Sequence, residues 1–241
     1  MLKTKGLGLM VGVLIILITT QNCFADRRSY VWTYEYMTMP KGMWELEYYI
    51  SNELPNVNKR NINTWKHWLE LEYGITDKWD VSMYQMWKYL NKAKEGDSQY
   101  DGFKLRTRYK IGRKGQFWVD PLIYLEYIRD DDFHKPNVIE EKLIFAKDIG
   151  GLNLSYNQIL KRNLEKRGKT DHEYATGISH RFSPNFRFGI ESKGNYSKEK
   201  YYVGPSLAFS TKKMWISLGA AFGLNKRNDD LQTRLILGLP F

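Results

Sequence analysis

The stretch "GFKLRTRYKIG", residues 102–112, alternates two kinds of side chain without a break. Lysine or arginine fills every second position, and the positions between them hold Phe103, Leu105, Thr107, Tyr109 and Ile111. Successive side chains of an extended chain point to opposite faces, so this pattern predicts a β-strand with one basic and one mostly apolar face. Such a strand needs apolar surroundings on one side and a polar space on the other.

The same period of two residues recurs along most of the chain after Met43. It is clearest at 102–112, 186–193, 201–210 and 231–241, and weaker at 80–90, 138–148 and 153–163. No helical period of 3.6 residues competes over a useful length. The sequence therefore predicts an all-β protein.

The N-terminus has the composition of a secretory signal peptide. Lys3 and Lys5 precede an apolar run over residues 7–18, and small residues precede a cleavage site after Ala25. This run is shorter than the roughly 20 residues that a membrane-spanning helix needs. We expect residues 1–25 to be removed. Lipid attachment at Cys23 is the less favoured alternative, because the residues before it are polar.

Cleavage would remove the only cysteine, so the mature chain would have neither a disulfide nor a thiolate metal site. Loss of Lys3 and Lys5 lowers the net charge from +10 to +8. No run of 18 apolar residues follows the signal peptide. Two classes remain, a soluble secreted β-protein and a transmembrane β-barrel, in which only alternate residues face lipid.

The connections between the predicted strands alternate in length. Tight turns are predicted at 76–78, 112–115, 150–151, 183–185 and 211–213, and longer polar loops at 55–63, 91–99, 130–137, 161–171, 194–200 and 225–230. Short turns at one end and long loops at the other are typical of outer-membrane barrels.

Counting strands between these connections gives about 12 from Met43 onward, an even number that puts both ends on the periplasmic, short-turn side. We therefore predict a single transmembrane, antiparallel, up-and-down β-barrel over residues 43–241, in the bacterial outer membrane. Residues 26–42 are interpreted as a periplasmic or lumenal lead-in segment, although 29–37 is also strand-like.

The end of the chain, "RLILGLPF" (234–241), resembles the C-terminal signature of bacterial outer-membrane β-barrels. That resemblance implies that the barrel-insertion machinery recognises Phe241. The segments "LEYGITDKWDV" (71–81) and "YYVGPSLAFS" (201–210) are similar to segments of uncharacterised outer-membrane transport proteins, including some linked to the degradation of aromatic compounds. The similarity implies porin-like transport without fixing a substrate.

The alternation turns many charges toward the barrel lumen. A lysine or arginine facing lipid at mid-bilayer costs about 2–4 kcal/mol, so four together cannot lie there. The predicted lumen-lining residues are Glu45, Glu47, Lys66, Glu70, Glu72, Lys104, Arg106, Arg108, Lys110, Asp120, Glu126, Arg187, Glu191 and Arg234.

Acids and bases are nearly balanced in this lumen, and two interpretations stay open. One is a charged aqueous pore for the passive passage of small solutes. The other is a closed barrel in which the charges neutralise one another, with a structural or surface-binding role. Side chains fill the interior of barrels of roughly eight strands, whereas porins of 16–18 strands are open. A barrel of about 12 strands lies between these sizes, so strand number does not decide whether the lumen is open.

Aromatic residues at strand ends predict interfacial girdles: Trp44, Trp65, Trp79, Trp87, Trp118, Trp215, Tyr89 and Tyr201. The longer loops are rich in lysine and arginine, which suggests contact with phosphates of lipopolysaccharide or simple solvation. No nucleic-acid-binding motif accompanies the charge, so nucleic acid is not an expected partner.

Enzymatic activity is not expected. Ser179 and His180 are neighbours on a strand and point to opposite faces, so they cannot form a catalytic dyad. The pairs Glu45/Glu47 and Glu70/Glu72 fit glycosidase spacing, but alternate acids are also what a polar lumen contains. The histidines lack metal-ligand spacing. We predict no catalytic residue, no metal and no cofactor.

Overall fold

A computed structural model describes residues 28–92 and 96–241 and shows a closed barrel of twelve antiparallel strands. The strands are β1 Trp44–Leu54, β2 Ile62–Thr76, β3 Trp79–Lys92, β4 Gly96–Lys110, β5 Asp120–Arg129, β6 Val138–Ile149, β7 Leu152–Asn163, β8 Thr170–Ser183, β9 Phe186–Asn195, β10 Lys200–Ser210, β11 Trp215–Gly223 and β12 Leu231–Pro240. Each strand pairs with its neighbours in the chain. The predicted all-β, twelve-strand barrel is confirmed, and the predicted signal peptide lies outside the described residues.

The barrel closes where β12 returns to β1. The two strands pair from Glu45 opposite Pro240 to Leu54 opposite Leu231. Trp44 and Phe241 complete this seam, because each donates its backbone N–H to the other's carbonyl, at 3.1 and 2.9 Å. Closure leaves no strand edge unpaired, which a barrel in lipid requires.

No helix within the described parts of the chain is long and apolar enough to span a membrane.

The two faces of each strand lie in different surroundings. In β4, Arg106 and Arg108 are only 3% and 2% exposed, whereas Leu105 and Tyr109 are 48% and 49% exposed. Other strands carry the same exposed apolar face, as at Ile123, Leu143, Ile190, Leu207, Leu218 and Phe222. So large a continuous apolar surface is suited to contact with acyl chains.

Two connections differ from the prediction. The expected turn at 112–115 is part of a longer connection over residues 111–119, because β4 ends at Lys110 and β5 begins at Asp120. The expected loop at 91–99 is shorter, since Gly96 already pairs with Asn91. A bulge interrupts β4 at Gly102, whose φ of 95° favours glycine.

Trp215 corrects the predicted aromatic girdle. It is 1% exposed and donates its indole N–H to the carboxylate of Glu45. It turns inward because it shares the face of β11 that carries Ser217 and Gly219. The opposite residue on β12, Gly238, has no side chain to compete for the space.

The exposed face of β6 provides a test of the lipid-facing surface. We expect Leu143→Arg, near the middle of the strand, to lower the free energy of unfolding by about 2–4 kcal/mol. Ile149→Arg, at the end of the same face, serves as the matched control and should cost about 0–1 kcal/mol. Urea unfolding in lipid vesicles measures both, and equal losses would contradict the lipid-facing assignment.

Candidate functional site

Residues 28–39, here called the inner segment, are not part of the barrel wall and lie within it. Tyr30, Val31 and Met39 are fully buried. The segment has no strand ladder of its own, so its backbone N–H groups need other acceptors. The barrel wall supplies them from several strands.

Glu191 on β9 accepts hydrogen bonds from three residues of the inner segment. Its carboxylate accepts the backbone N–H groups of Val31, Trp32 and Thr33, at 2.8, 2.9 and 2.8 Å. Hydrogen bonds to a charged acceptor are stronger than those between neutral groups. A single buried carboxylate thus fixes three consecutive peptide groups.

Strands on other sides of the barrel hold the rest of the inner segment. Asn157 on β7 accepts the backbone N–H of Tyr34 at 2.7 Å and donates to its carbonyl at 2.9 Å. Asp80 on β3 accepts the backbone N–H of Met39 at 2.9 Å. The segment is therefore attached across the lumen and not along one wall.

Tyr36 anchors the segment at the short-turn end. Its hydroxyl donates to the carbonyls of Ile111 and Gly112, each 3.1 Å away. Burial, together with the charge of Asp120, raises the pKa of Tyr36. The hydroxyl therefore stays protonated, and remains a donor, over the physiological pH range.

The basic face of β4 meets acids from the two strands before it. Arg106 forms ion pairs with Glu70 and Glu72, at 2.9 and 2.6 Å. Arg108 pairs with Asp80, which lies directly opposite on β3, at 2.7 Å, and also with Glu72. These five side chains are almost entirely buried, so two guanidinium groups and three carboxylates pair with one another away from water.

Four more predicted lumen residues also form ion pairs: Glu47, Lys66, Lys104 and Glu126. Lys104 pairs with Glu126 at 3.0 Å, and Lys66 with Glu53 at 2.6 Å. Glu47 lies 3.9 Å from Arg28 of the inner segment.

Three of the remaining predicted residues, Lys110, Asp120 and Arg187, lie at the short-turn end of the interior. Asp120 accepts the backbone N–H of Gly115 at 2.7 Å, and Lys110 stands 5.8 Å from the ring centroid of Tyr36. Arg187 borders a small cavity beside Glu35. All of the predicted lumen residues are buried or half-buried.

The inner segment separates two cavities. The larger, here called the vestibule, has a volume of about 500 Å³ and reaches the long-loop end at Lys198 and Asp229. Trp32 and Tyr34 of the inner segment form part of its lining. The smaller cavity, of about 50 Å³, lies at the short-turn end beside Lys114 and is bordered by Tyr36.

Aromatic rings in the vestibule alternate with cations. Lys104 lies 4.3 Å from the ring centroid of Trp68, and Lys142 lies 4.3 and 4.1 Å from those of Tyr34 and Tyr124. Such contacts stabilise cations that are partly removed from water. Sequence reasoning missed the role of Tyr34, for which the strand-like pattern at 29–37 was the only signal.

Comparison with known proteins gives similarity in structure alone. No family model and no curated protein matches the sequence. The NanC porin is 11% identical, with a TM-score of 0.54 and coverage of 81% of this chain and 98% of that chain. The KdgM porin, solved in complex with disordered oligogalacturonate, is 12% identical, with a TM-score of 0.55 and coverage of 82% and 98%.

The outer membrane phospholipase A from Escherichia coli is also similar, at 11% identity, a TM-score of 0.47 and coverage of 85% and 94%. That likeness is too low to bear on activity. The fold shared with the NanC and KdgM porins, together with the apolar outer surface, makes the chain an outer-membrane β-barrel and places it in the bacterial outer membrane.

The buried ion pairs give a second prediction. Arg106→Gln would leave Glu70 and Glu72 short of a counter-charge, so we expect a loss of about 3–5 kcal/mol in the free energy of unfolding. Arg106→Gln combined with Glu70→Gln removes one charge of each sign and should recover most of that loss. Urea unfolding in vesicles measures both, and a single variant as stable as the parent would contradict the network's importance.

Proposed function

We propose that this outer-membrane β-barrel is a channel for the passive passage of small solutes, and that the inner segment closes it. The observation that carries the proposal is that the segment crosses the lumen between the two cavities without belonging to the wall. All twelve wall strands pair with one another, so the segment can leave its place without opening the barrel. Its attachments are mostly hydrogen bonds that its backbone N–H groups donate to side chains of the wall.

The vestibule supports the entry of solutes from the long-loop end. Its volume of about 500 Å³ admits a small molecule, and its lining carries eight cations against five carboxylates. The similarity in fold to the NanC and KdgM porins agrees with transport. The excess of cations favours neutral or negatively charged solutes over cations.

The alternative function is a closed barrel with a structural or surface-binding role. The neutralised charges around Arg106 and Arg108 favour it, because paired buried charges fill and stabilise an interior without conducting. The surface role would involve lipopolysaccharide, whose phosphates suit loop cations such as Lys59, Lys166 and Lys226. Conductance separates the two functions.

We further propose that the protein is not an enzyme and that Phe241 serves as the insertion signal. Ser179 is buried whereas His180 is exposed on the opposite face, an arrangement unsuited to a dyad. Within 28–92 and 96–241, no three histidine, cysteine or acidic residues form a possible metal site. Phe241 sits at the closing seam, beside Trp44.

A disulfide across the lumen tests the channel directly. A side chain added at Gly219 would contact Val31, so Val31→Cys with Gly219→Cys should join the inner segment to β11. We expect no conductance steps from the oxidised double variant in planar bilayers, and steps after its reduction. The single-cysteine variants control for oxidation, since they cannot form this bond and should respond alike with and without reductant.

Two results would contradict the proposal. Equal conductance before and after reduction would show that the inner segment does not close the pore. Absence of steps from the parent, the reduced variant and a variant lacking residues 28–39 would remove the channel and leave the closed barrel.

Glu191 provides an independent test of how the segment is held. Glu191→Ala removes the acceptor for three backbone N–H groups, so we expect at least about a tenfold rise in open probability. Glu173→Ala, on the neighbouring strand β8 at the vestibule, is the control and should leave the open probability unchanged. Single-channel recording measures the open probability of both variants. An open probability of Glu191→Ala equal to that of the parent would show that other contacts hold the segment in place.

A further inference from the structure

Lys193 and Arg234, two of the cations that line the vestibule, form no ion pair with a carboxylate of the described residues. Lys193 on β9 donates to the side-chain carbonyl of Gln232, at 2.5 Å. Arg234 on β12 donates to the hydroxyl of Ser51 at 2.9 Å and to the carbonyl of Val31 at 3.3 Å. Among the described residues neither forms an ion pair, although most other vestibule cations do.

Carboxylates around these cations hold other partners. Glu53 pairs with Lys66 at 2.6 Å. Glu191 accepts the three backbone N–H groups of the inner segment. Asp229 accepts from the amide of Gln232 at 2.7 Å. None of these carboxylates forms a direct ion pair with Lys193 or Arg234, so both cations can still bind a carboxylate from outside the chain.

Aromatic rings lie beside both cations. Lys193 stands 4.5 Å from the ring centroid of Trp32 and 5.2 Å from that of Tyr202. Arg234 stands 5.9 Å from Trp32 and 4.9 Å from Trp68. All five residues line the vestibule, so they border open space and not packed protein. Flat apolar faces next to free cations suit a ring that carries an acid group.

We propose that Lys193 and Arg234 bind the carboxylate of a small, ring-bearing organic acid in the vestibule. Arginine and lysine donate charge-assisted hydrogen bonds to a carboxylate, and these are strengthened where water is partly excluded. The ring packs against Trp32 and its aromatic neighbours. This inference deepens the proposed function and rests on it for the onward passage of the acid, whereas binding itself requires no passage.

Calorimetric titration of the folded, full-length barrel in detergent micelles tests the site with matched probes. Glucuronate is compared with its neutral amide, glucuronamide, and benzoate with benzamide, so each pair keeps its ring and replaces the carboxylate with an uncharged group of similar size. Inorganic phosphate is a third anion without a ring. We expect one of the two acids to bind at least about tenfold more tightly than its amide and than phosphate, and the pair that binds identifies the ring.

Variants assign the binding to the two cations. Lys193→Gln and Arg234→Gln should each weaken the acid about tenfold or more. Glu53→Gln combined with Lys66→Gln removes a neutralised pair from the same cavity and should change the affinity less than about twofold. Heat-modifiable gel mobility shows which variants fold, and Arg234→Lys, which keeps the charge, should retain part of the affinity.

Three results would overturn the proposal: neither acid binding better than its amide, phosphate binding as tightly as the acids, or full affinity in both folded glutamine variants. The outcome is separable from that of the channel test. Acid binding without conductance would refute only the channel, and conductance without acid binding would refute only this site.

Discussion

A charge on the wall of this barrel has only one tolerable direction, and the rest of the structure depends on that constraint. Lipid excludes Arg106 and Arg108 from the outer face, and the narrow interior denies them bulk water. They are stable there because acids on β2 and β3, Glu70, Glu72 and Asp80, lie within ion-pair distance. The strand pairing that forms the barrel therefore also brings these cations next to their acids.

Polar groups on the inner face of the wall also explain how a non-strand segment occupies the lumen. An irregular backbone brings unpaired N–H groups into a space with little water, which is costly unless acceptors are present. The wall meets this need with acids and amides that are not consumed by cations, above all Glu191 and Asn157. The inner segment is therefore complementary to the interior in hydrogen bonding as well as in shape.

The alternation of residues, together with the alternating lengths of the connections, was sufficient to predict the barrel, its strand number and the inward direction of the β4 cations. It could not show which partners these cations have, because ion pairs depend on register, and register brings Asp80 opposite Arg108. Trp215 was misplaced for a related reason: its chemistry suits an interface, but its position in β11 turns it inward. The path of residues 28–39 was also out of reach, since its contacts come from residues distant in the chain.

Cations are paired with acids in one part of the interior and not in another, so the two regions differ in their ability to bind an anion. Around β4 both arginines are buried in ion pairs with acids, so that region offers no free cation to a ligand. In the vestibule, Lys193 and Arg234 are held by neutral groups alone, next to open volume. A charge left without a counter-ion in a partly dry site costs free energy, and an incoming anion relieves that cost. The long-loop end is thus the receptive end of the barrel, and the inner segment lies below it.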